Sequence, residues 1–351
     1  MCGCVLSLLC AGCGTPWLID KLLQATDDDD PIANPAPIIE PAAHYAIALG
    51  GVAPGRDELV LVDAAGAVRD LSGQALTFRA EPDIVGLLPR PSHASFAAGS
   101  GAQLVPQRAG TARIHYQLDG AEQTETFAVT VPPQELIQIL LGEARALLAA
   151  EATRQEDDHV TLTSTSPTGD AVAAVIRNRI ALIDADKDPS LFAADPVAYS
   201  LSPPASAYTA VIEAVQADVF QFAPLAPTDE SHTVYANAEA RSFLDAGDRI
   251  AYDQAVLTAA AMFDGRTPDP TGGAFAFRSP SVTEVACLTT ALQNKPAQIP
   301  SECGPGDENF PALAPIQVLI HPDVGKQADG RPAFVFYRRR PDGGTVATDI
   351  P

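Results

Sequence analysis

The chain has 351 residues, a formal charge of −22, a pI near 4.4 and 46% hydrophobic residues. That leaves room for two or three domains and ample apolar material for at least one core. The acidity argues against a nucleic-acid binder, because phosphate binding rests on clustered Lys and Arg, and the one basic cluster is Arg338-Arg339-Arg340.

The first residues form an apolar leader. Val5 to Cys13 is too short to span a bilayer but has the size of a signal h-region, although no Lys or Arg precedes it. Leu9-Cys10-Ala11-Gly12-Cys13 resembles a bacterial lipoprotein box, with Cys10 departing from the usual aliphatic residue. The expectation is a leader over 1–13, lipidation of Cys13, and an exported, membrane-anchored protein of the cell envelope. Residues 14–43 then read as a tether: the run Asp27 to Asp30 and Pro31, Pro35, Pro37 and Pro41 bury too little apolar surface to offset ordering entropy.

From 44 to 131 the pattern changes to short alternating runs bounded by Gly, Pro and Asp. Strands are expected at 58–62, 75–79, 102–106, 112–117 and 126–131, with Asp119-Gly120 as a hairpin turn. This spacing predicts a β-sandwich. The order Leu104-Val105-Pro106, Ala109-Gly110-Thr111-Ala112, Ile114 and Phe127-Ala128-Val129-Thr130-Val131 resembles bacterial immunoglobulin-like repeats of the Big group, which implies a spacer or adhesive module. His93 and His115 stand singly there and read as structural.

Beyond Pro132-Pro133 the period becomes helical. Leu136, Ile137, Leu140, Leu141, Ala144, Leu147 and Leu148 give a wide apolar stripe over 134–151. Residues 152–169 read as a loop, and Asp170 as the N-cap of a helix to about Leu182. Further helices are expected near 205–220, 235–245 and 251–264, the last closed by Gly265. Phe275-Ala276-Phe277 and the run 333–337 read as short strands, and 341–351 as a C-terminal tail. The whole is a multidomain chain, a β-sandwich followed by a mainly α, α+β domain over 132–340. Cys287 and Cys303 would close a loop worth about 3 kcal/mol as a disulfide in an oxidising compartment; two separate buried thiols in a cytosolic protein are the other reading. No Cys pair is coupled to a second Cys or His pair as zinc sites require, so neither metal nor organic cofactor is expected.

Glu143 is the foremost chemical candidate. Flanked by Leu140, Leu141, Ala144 and Leu147, its carboxyl group can be held neutral by apolar surroundings and serve as a general acid. An exposed helical Glu paired with Arg145 or a neighbour is the plainer reading of the same periodicity. Gly142-Glu143-Ala144-Arg145, the run 171–179 ending in Asn178-Arg179, Gln221-Phe222 and Asp269-Pro270-Thr271-Gly272-Gly273-Ala274 together resemble the SleB-type cell-wall hydrolases, which include spore-cortex-lytic enzymes. The resemblance runs over about 134–340 and implies a lysozyme-like fold related to lytic transglycosylases, with Glu143 as the acid/base. Asn178 would bind an N-acetyl group, fix Glu143 or simply bond backbone. Arg179 reads as a structural ion-pair partner. Gln221 and Phe222 would line the cleft, Phe222 stacking on a sugar or filling the core, while Gly272 and Gly273 would admit a glycan or make a tight turn. Tyr235 and His232 are weak candidates.

Two departures from the family are visible. Ala146-Leu147 stand where the family continues with Gly-Glu, leaving Glu151, Glu156, Asp157 or Asp158 as replacement acids; the linker from Arg145 to Ala171 is longer than the family norm, and residues 182–208 read as a second insertion. One firm Glu suits a lytic transglycosylase, whereas ordinary hydrolysis uses two carboxylates. The expectation is therefore cleavage of the MurNAc–GlcNAc bond of peptidoglycan giving 1,6-anhydroMurNAc. The partner would be the glycan strand, with no nucleic acid, and membrane contact only through the lipid on Cys13. The rival is a non-catalytic peptidoglycan-binding or envelope scaffold protein with a degenerate lysozyme-like domain.

Overall fold

The computed structural model describes residues 44–49, 59–60, 76–89, 101–118, 125–152, 166–186, 207–212, 222–226, 229, 231–232, 246–294, 303, 313, 315–320, 323–339 and 347–349. The leader with Cys13, the tether, Asp119-Gly120, Gln221, Tyr235 and the acids Glu156, Asp157 and Asp158 lie outside them. Two compact units divide at Val131/Pro132.

The first unit holds seven described strands: β1 (His44–Ala46), β2 (Leu59–Val60), β3 (Leu76–Glu81), β4 (Val85–Pro89), β5 (Gly101–Pro106), β6 (Gly110–Leu118) and β7 (Glu125–Val131). One sheet has the order β1-β7-β6-β3 and a second the order β2-β5-β4. Every pair is antiparallel except β1–β7, where His44 to Ala46 run parallel to Ala128 to Thr130. Alternation explains the burial in β6, where Ala112 and Ile114 are buried and Thr111 and Arg113 exposed; in β7 Val129, Thr130 and Val131 are all buried, with the Thr130 hydroxyl 3.2 Å from that of Thr111.

The second unit contains α1 (Gln134–Ala152), α2 (Pro167–Asp186), α3 (Ala207–Ile212), a 3-10 turn (Ala223–Leu225), α4 (Ala246–Phe263) and α5 (Val282–Asn294). Its sheet has the order β11-β9-β10-β8, made of β8 (Ala276–Arg278), β9 (Ile316–Ile320), β10 (Val335–Arg339) and β11 (Ala347–Asp349). The expected C-terminal tail is thus corrected: Ala347 to Asp349 add a parallel strand to β9.

Capping chemistry sets the helix ends. Asp170 is not the N-cap of α2; Ser166 is, accepting from the Gly169 N–H at 3.1 Å, with Pro167 at the first helical position. Proline lacks the N–H that a first-turn residue cannot use anyway, so the helix begins at Pro167, ahead of Asp170. α4 ends at Gly265, whose φ is +75°. The Arg266 N–H reaches the Ala261 carbonyl at 2.9 Å and the Gly265 N–H that of Met262 at 3.1 Å, a Schellman closure. α5 starts on a reciprocal box: the Ser281 N–H donates to Glu284 at 2.7 Å and the Glu284 N–H to Ser281 Oγ at 3.2 Å.

Cys287 and Cys303 form a disulfide. Cys303 sits in a core with Phe275, Leu288, Leu313, Val318 and Tyr337, which fastens the sheet to α5.

Candidate active site

Glu143 lies in the middle of α1, where the helix departs from regular geometry: Ala144 has φ −136° and ψ 16°. Gly142, just before, explains what arrives at this place. A Cβ at Gly142 would lie 2.1 Å from Cγ and 2.3 Å from Cβ of Pro224, so only glycine lets the Ala223–Leu225 turn come this close. The contact brings the Ala223 N–H onto the Glu143 carboxylate as a donor. Ala144 is buried. Arg145 reaches sideways to α4, with its guanidinium 2.7 Å from Asp248. The four residues therefore divide the work between close approach, acid, helix break and anchor. Arg145 is spoken for by Asp248, so the plainer reading of Glu143 as its surface partner is not what the structure contains.

Burial lifts the Glu143 carboxyl from its ordinary 4.5 to about 7. The Arg179 guanidinium opposes this, the Asp229 charge adds to it, and the Ala223 amide opposes it. Glu143 can therefore carry a proton near neutrality and still has a cation and an N–H at hand once the proton has left.

Three consecutive side chains of α2 clamp the segment from Thr267 to Phe275. Arg177 donates to the Thr267 carbonyl at 2.6 Å. Asn178 Nδ2 donates to Asp269 at 3.0 Å and to the Ala274 carbonyl at 2.9 Å, and Arg179 Nε donates to the Phe275 carbonyl at 2.6 Å. Asp269 folds the loop between them by accepting from Thr271 N–H and Oγ1 and from Gly273 N–H. Burial pushes the Asp269 carboxyl up, but the bonds from Thr271, Asn178 and Gly273 outweigh it and hold the group below the ordinary range. Gly272 (φ +60°) and Gly273 (φ +89°) supply the left-handed backbone of this tight turn. The Gly272 carbonyl accepts from Arg338 at 2.9 Å. Asn178 thus holds the loop with its amide nitrogen, the third of its three readings.

Phe222 takes the core position, one of its two readings. Its ring is only 4% exposed, stacks beside Phe277 at 6.3 Å and carries the Arg179 guanidinium 4.6 Å from its centroid. Arg179 covers the face expected to meet a sugar, and Phe222 positions that cation beside Glu143. Arg179 is therefore more than a structural ion-pair partner.

Of the replacement acids, Glu151 is committed elsewhere. It accepts from Ser166 Oγ, from Thr168 Oγ1 and from the Thr168 N–H at 3.2 Å, neutralising the start of α2. Leu147 packs where Gly325 leaves room: a Cβ there would meet Leu147 Cδ2 at 2.6 Å. The Gly325 N–H bonds Thr168 Oγ1 at 3.0 Å. The position of the family's second acid is thus a packing position in this chain.

Sequence reasoning does not single out Asp229. Its signal, Asp-x-Ser with a side-chain turn, is too common to stand out. The segment is braced: the Asp229 carboxylate accepts from the Ser231 N–H at 2.8 Å and from Ser231 Oγ, and the His232 N–H bonds the Asp229 carbonyl at 3.1 Å. His232 Nδ1 lies 3.0 Å from the Pro224 carbonyl, so this nitrogen carries the proton. Among the described residues, no three His, Cys, Asp or Glu side chains gather as metal ligands do. Comparison with protein-family models and with curated proteins finds no match to this sequence.

Proposed function

We propose that the second unit is a lysozyme-like, SleB-type domain that cleaves the MurNAc–GlcNAc bond of peptidoglycan, with Glu143 as its acid and base. The observation that carries this reading is a half-buried carboxyl group protonated near neutral pH, with Arg179 and the Ala223 N–H beside it. In the first half of the reaction the bond from C1 to the leaving oxygen breaks as that oxygen takes the Glu143 proton. The carboxylate left behind is stabilised by Arg179 and Ala223. In the second half it accepts the proton of the MurNAc 6-hydroxyl while that oxygen bonds to C1, which yields the 1,6-anhydro sugar and restores the acid. No cofactor enters this cycle.

The wider setting follows from the same reading. The two sheets of the first unit and the parallel β1–β7 pair support an immunoglobulin-like spacer. The Cys287–Cys303 bridge supports export to an oxidising compartment, with lipid on Cys13 as the anchor.

The test is incubation of purified peptidoglycan with the full chain and with Glu143→Gln, followed by mass analysis of the released muropeptides. Anhydro products should appear with the wild type and fall by roughly a hundredfold or more in the variant. Products heavier by one water would replace transglycosylation by hydrolysis. No release by the wild type would defeat the enzyme reading in favour of a wall-binding scaffold.

A further inference from the structure

We propose that Phe277 is a sugar-stacking platform beside the acid, the aromatic surface on which one pyranose ring of the glycan strand lies while a neighbouring bond meets Glu143. The inference rests on the reading of Glu143 as the acid and names a residue that seats its substrate.

Phe277 is the middle residue of the edge strand β8 and stands directly opposite Phe336 of β10. Residues opposite one another share a sheet face, so the two rings project to the same side. The other side is given over to a core, where Ala276, Val335 and Tyr337 pack with Leu288 of α5 and Cys303. On the Phe277 side, Phe334 meets it edge-on at 5.0 Å and Phe336 lies tilted at 6.3 Å. Phe222 stacks on it at 6.3 Å, with 26° between the planes. All three neighbours are buried, whereas Phe277 is half-buried. Phe277 is therefore the ring of the four that meets solvent.

Phe222 joins this surface to the acid. Two residues on, Pro224 lies so close to Gly142 that a Cβ there would be 2.1 Å from its ring, and the intervening Ala223 N–H donates to the Glu143 carboxylate. One ring and one peptide thus separate Phe277 from Glu143. The face of Phe222 is already taken by the Arg179 guanidinium, 4.6 Å from its centroid. The aromatic surface left for a ligand is the next ring out. A pyranose presents C–H bonds on its faces and hydroxyls around its rim, so it lies on the electron-rich face of an aromatic ring and keeps its rim hydrated. Three packed neighbours hold the Phe277 ring in place beforehand, which reduces the ordering cost of binding.

A phenylalanine that only closes the core is the competing assignment, and contact with ligand separates the two. The full-length protein carrying Glu143→Gln is tested for binding to purified peptidoglycan glycan strands by sedimentation, alone and combined with Phe277→Leu or Phe277→Tyr. Leucine fills the core without an aromatic face, so the dissociation constant should rise by roughly threefold or more, and tyrosine should restore it. In otherwise wild-type protein Phe277→Leu should raise KM by the same factor with kcat nearly unchanged. Phe277→Trp adds a reporter to a chain whose one tryptophan is Trp17. Its emission should change on addition of a soluble GlcNAc–MurNAc oligosaccharide and saturate as binding does, while the parent protein serves as control. Thermal unfolding is followed for each variant, and if Phe277→Leu fails to fold the tryptophan emission decides. A binding loss smaller than about threefold in folded Phe277→Leu, or an emission that does not respond, overturns the proposal. Muropeptide release by the wild type in either case leaves the Glu143 reading standing. A wild type that releases nothing, yet binds strands through Phe277, ends the cleavage reading and leaves the platform.

Discussion

Replacing Gly142 by Ala sets two effects of opposite sign against each other. In an ordinary helix the exchange would stabilise, since Ala is favoured over Gly by about 1 kcal/mol. Here the new methyl would sit 2.1 Å from Cγ and 2.3 Å from Cβ of Pro224. That overlap cannot be relieved by a rotamer change, because the proline ring is rigid and its carbonyl is held by His232. The turn must move by more than an ångström, and overpacking of this kind costs about 1–3 kcal/mol. The clash outweighs the propensity gain, and a net loss of up to about 2 kcal/mol is expected, a few degrees in the unfolding midpoint. Moving the turn also opens Glu143 to water and draws the Ala223 N–H away. Lost burial lowers the carboxyl's proton affinity and the lost amide bond raises it. Burial is the largest of its causes, so the Glu143 pKa should fall from about 7 toward 4.5. Thermal unfolding and a carboxyl NMR titration check the two halves together. A Gly142→Ala protein that gains stability as a free helix would, with Glu143 titrating unchanged, would refute the claim that glycine is there to admit the turn.

Two further outcomes follow from the same structure. Because the folded value of Glu143 lies above its unfolded 4.5, the group opposes folding increasingly as pH rises from 4.5 through 7. Glu143→Gln should therefore equal wild type in stability below pH 4.5 and exceed it by up to roughly 3 kcal/mol above 7; a difference independent of pH in unfolding experiments contradicts this. Removal of the Cys287–Cys303 bridge, by Cys287→Ala with Cys303→Ala, should cost about 3 kcal/mol for its separation of 16 residues, and an unmoved midpoint under denaturant would count against it.

The legible parts of this chain are those decided by neighbours in sequence. Alternation places the strands of the first unit near their observed positions, and the apolar stripe over 134–151 gives α1. Gly265 marks the end of α4 because a Schellman closure needs a left-handed residue at that one place. The box Ser281-Val282-Thr283-Glu284 is an equally local signal, yet no helix is expected over 282–294, and α5 is an element the sequence reading misses. The start of α2 goes astray because two cap residues compete. Asp170 is the better-known signal when taken alone, but Pro167 needs its cap one residue earlier, and Ser166 fills that position.

The chemistry of Glu143 is legible only as a residue type, because its cause lies far along the chain. Nothing within 134–152 says that a proline ring will rest on Gly142, or that an amide, a cation and a second carboxylate will converge on the next residue. The resemblance leaves Phe222 between a cleft wall and the core and Arg179 as a structural ion-pair partner, yet the Arg179 guanidinium packs on the Phe222 ring, a contact between distant segments that neither local sequence announces. The same logic accounts for Leu147. Leu147 is half-buried and lies against Gly325, so an acid at that position would be drawn partly out of solvent beside packed backbone. The Asp229 charge, which adds to the rise of the Glu143 carboxyl, likewise comes from a different segment, where Ser231 holds that carboxylate.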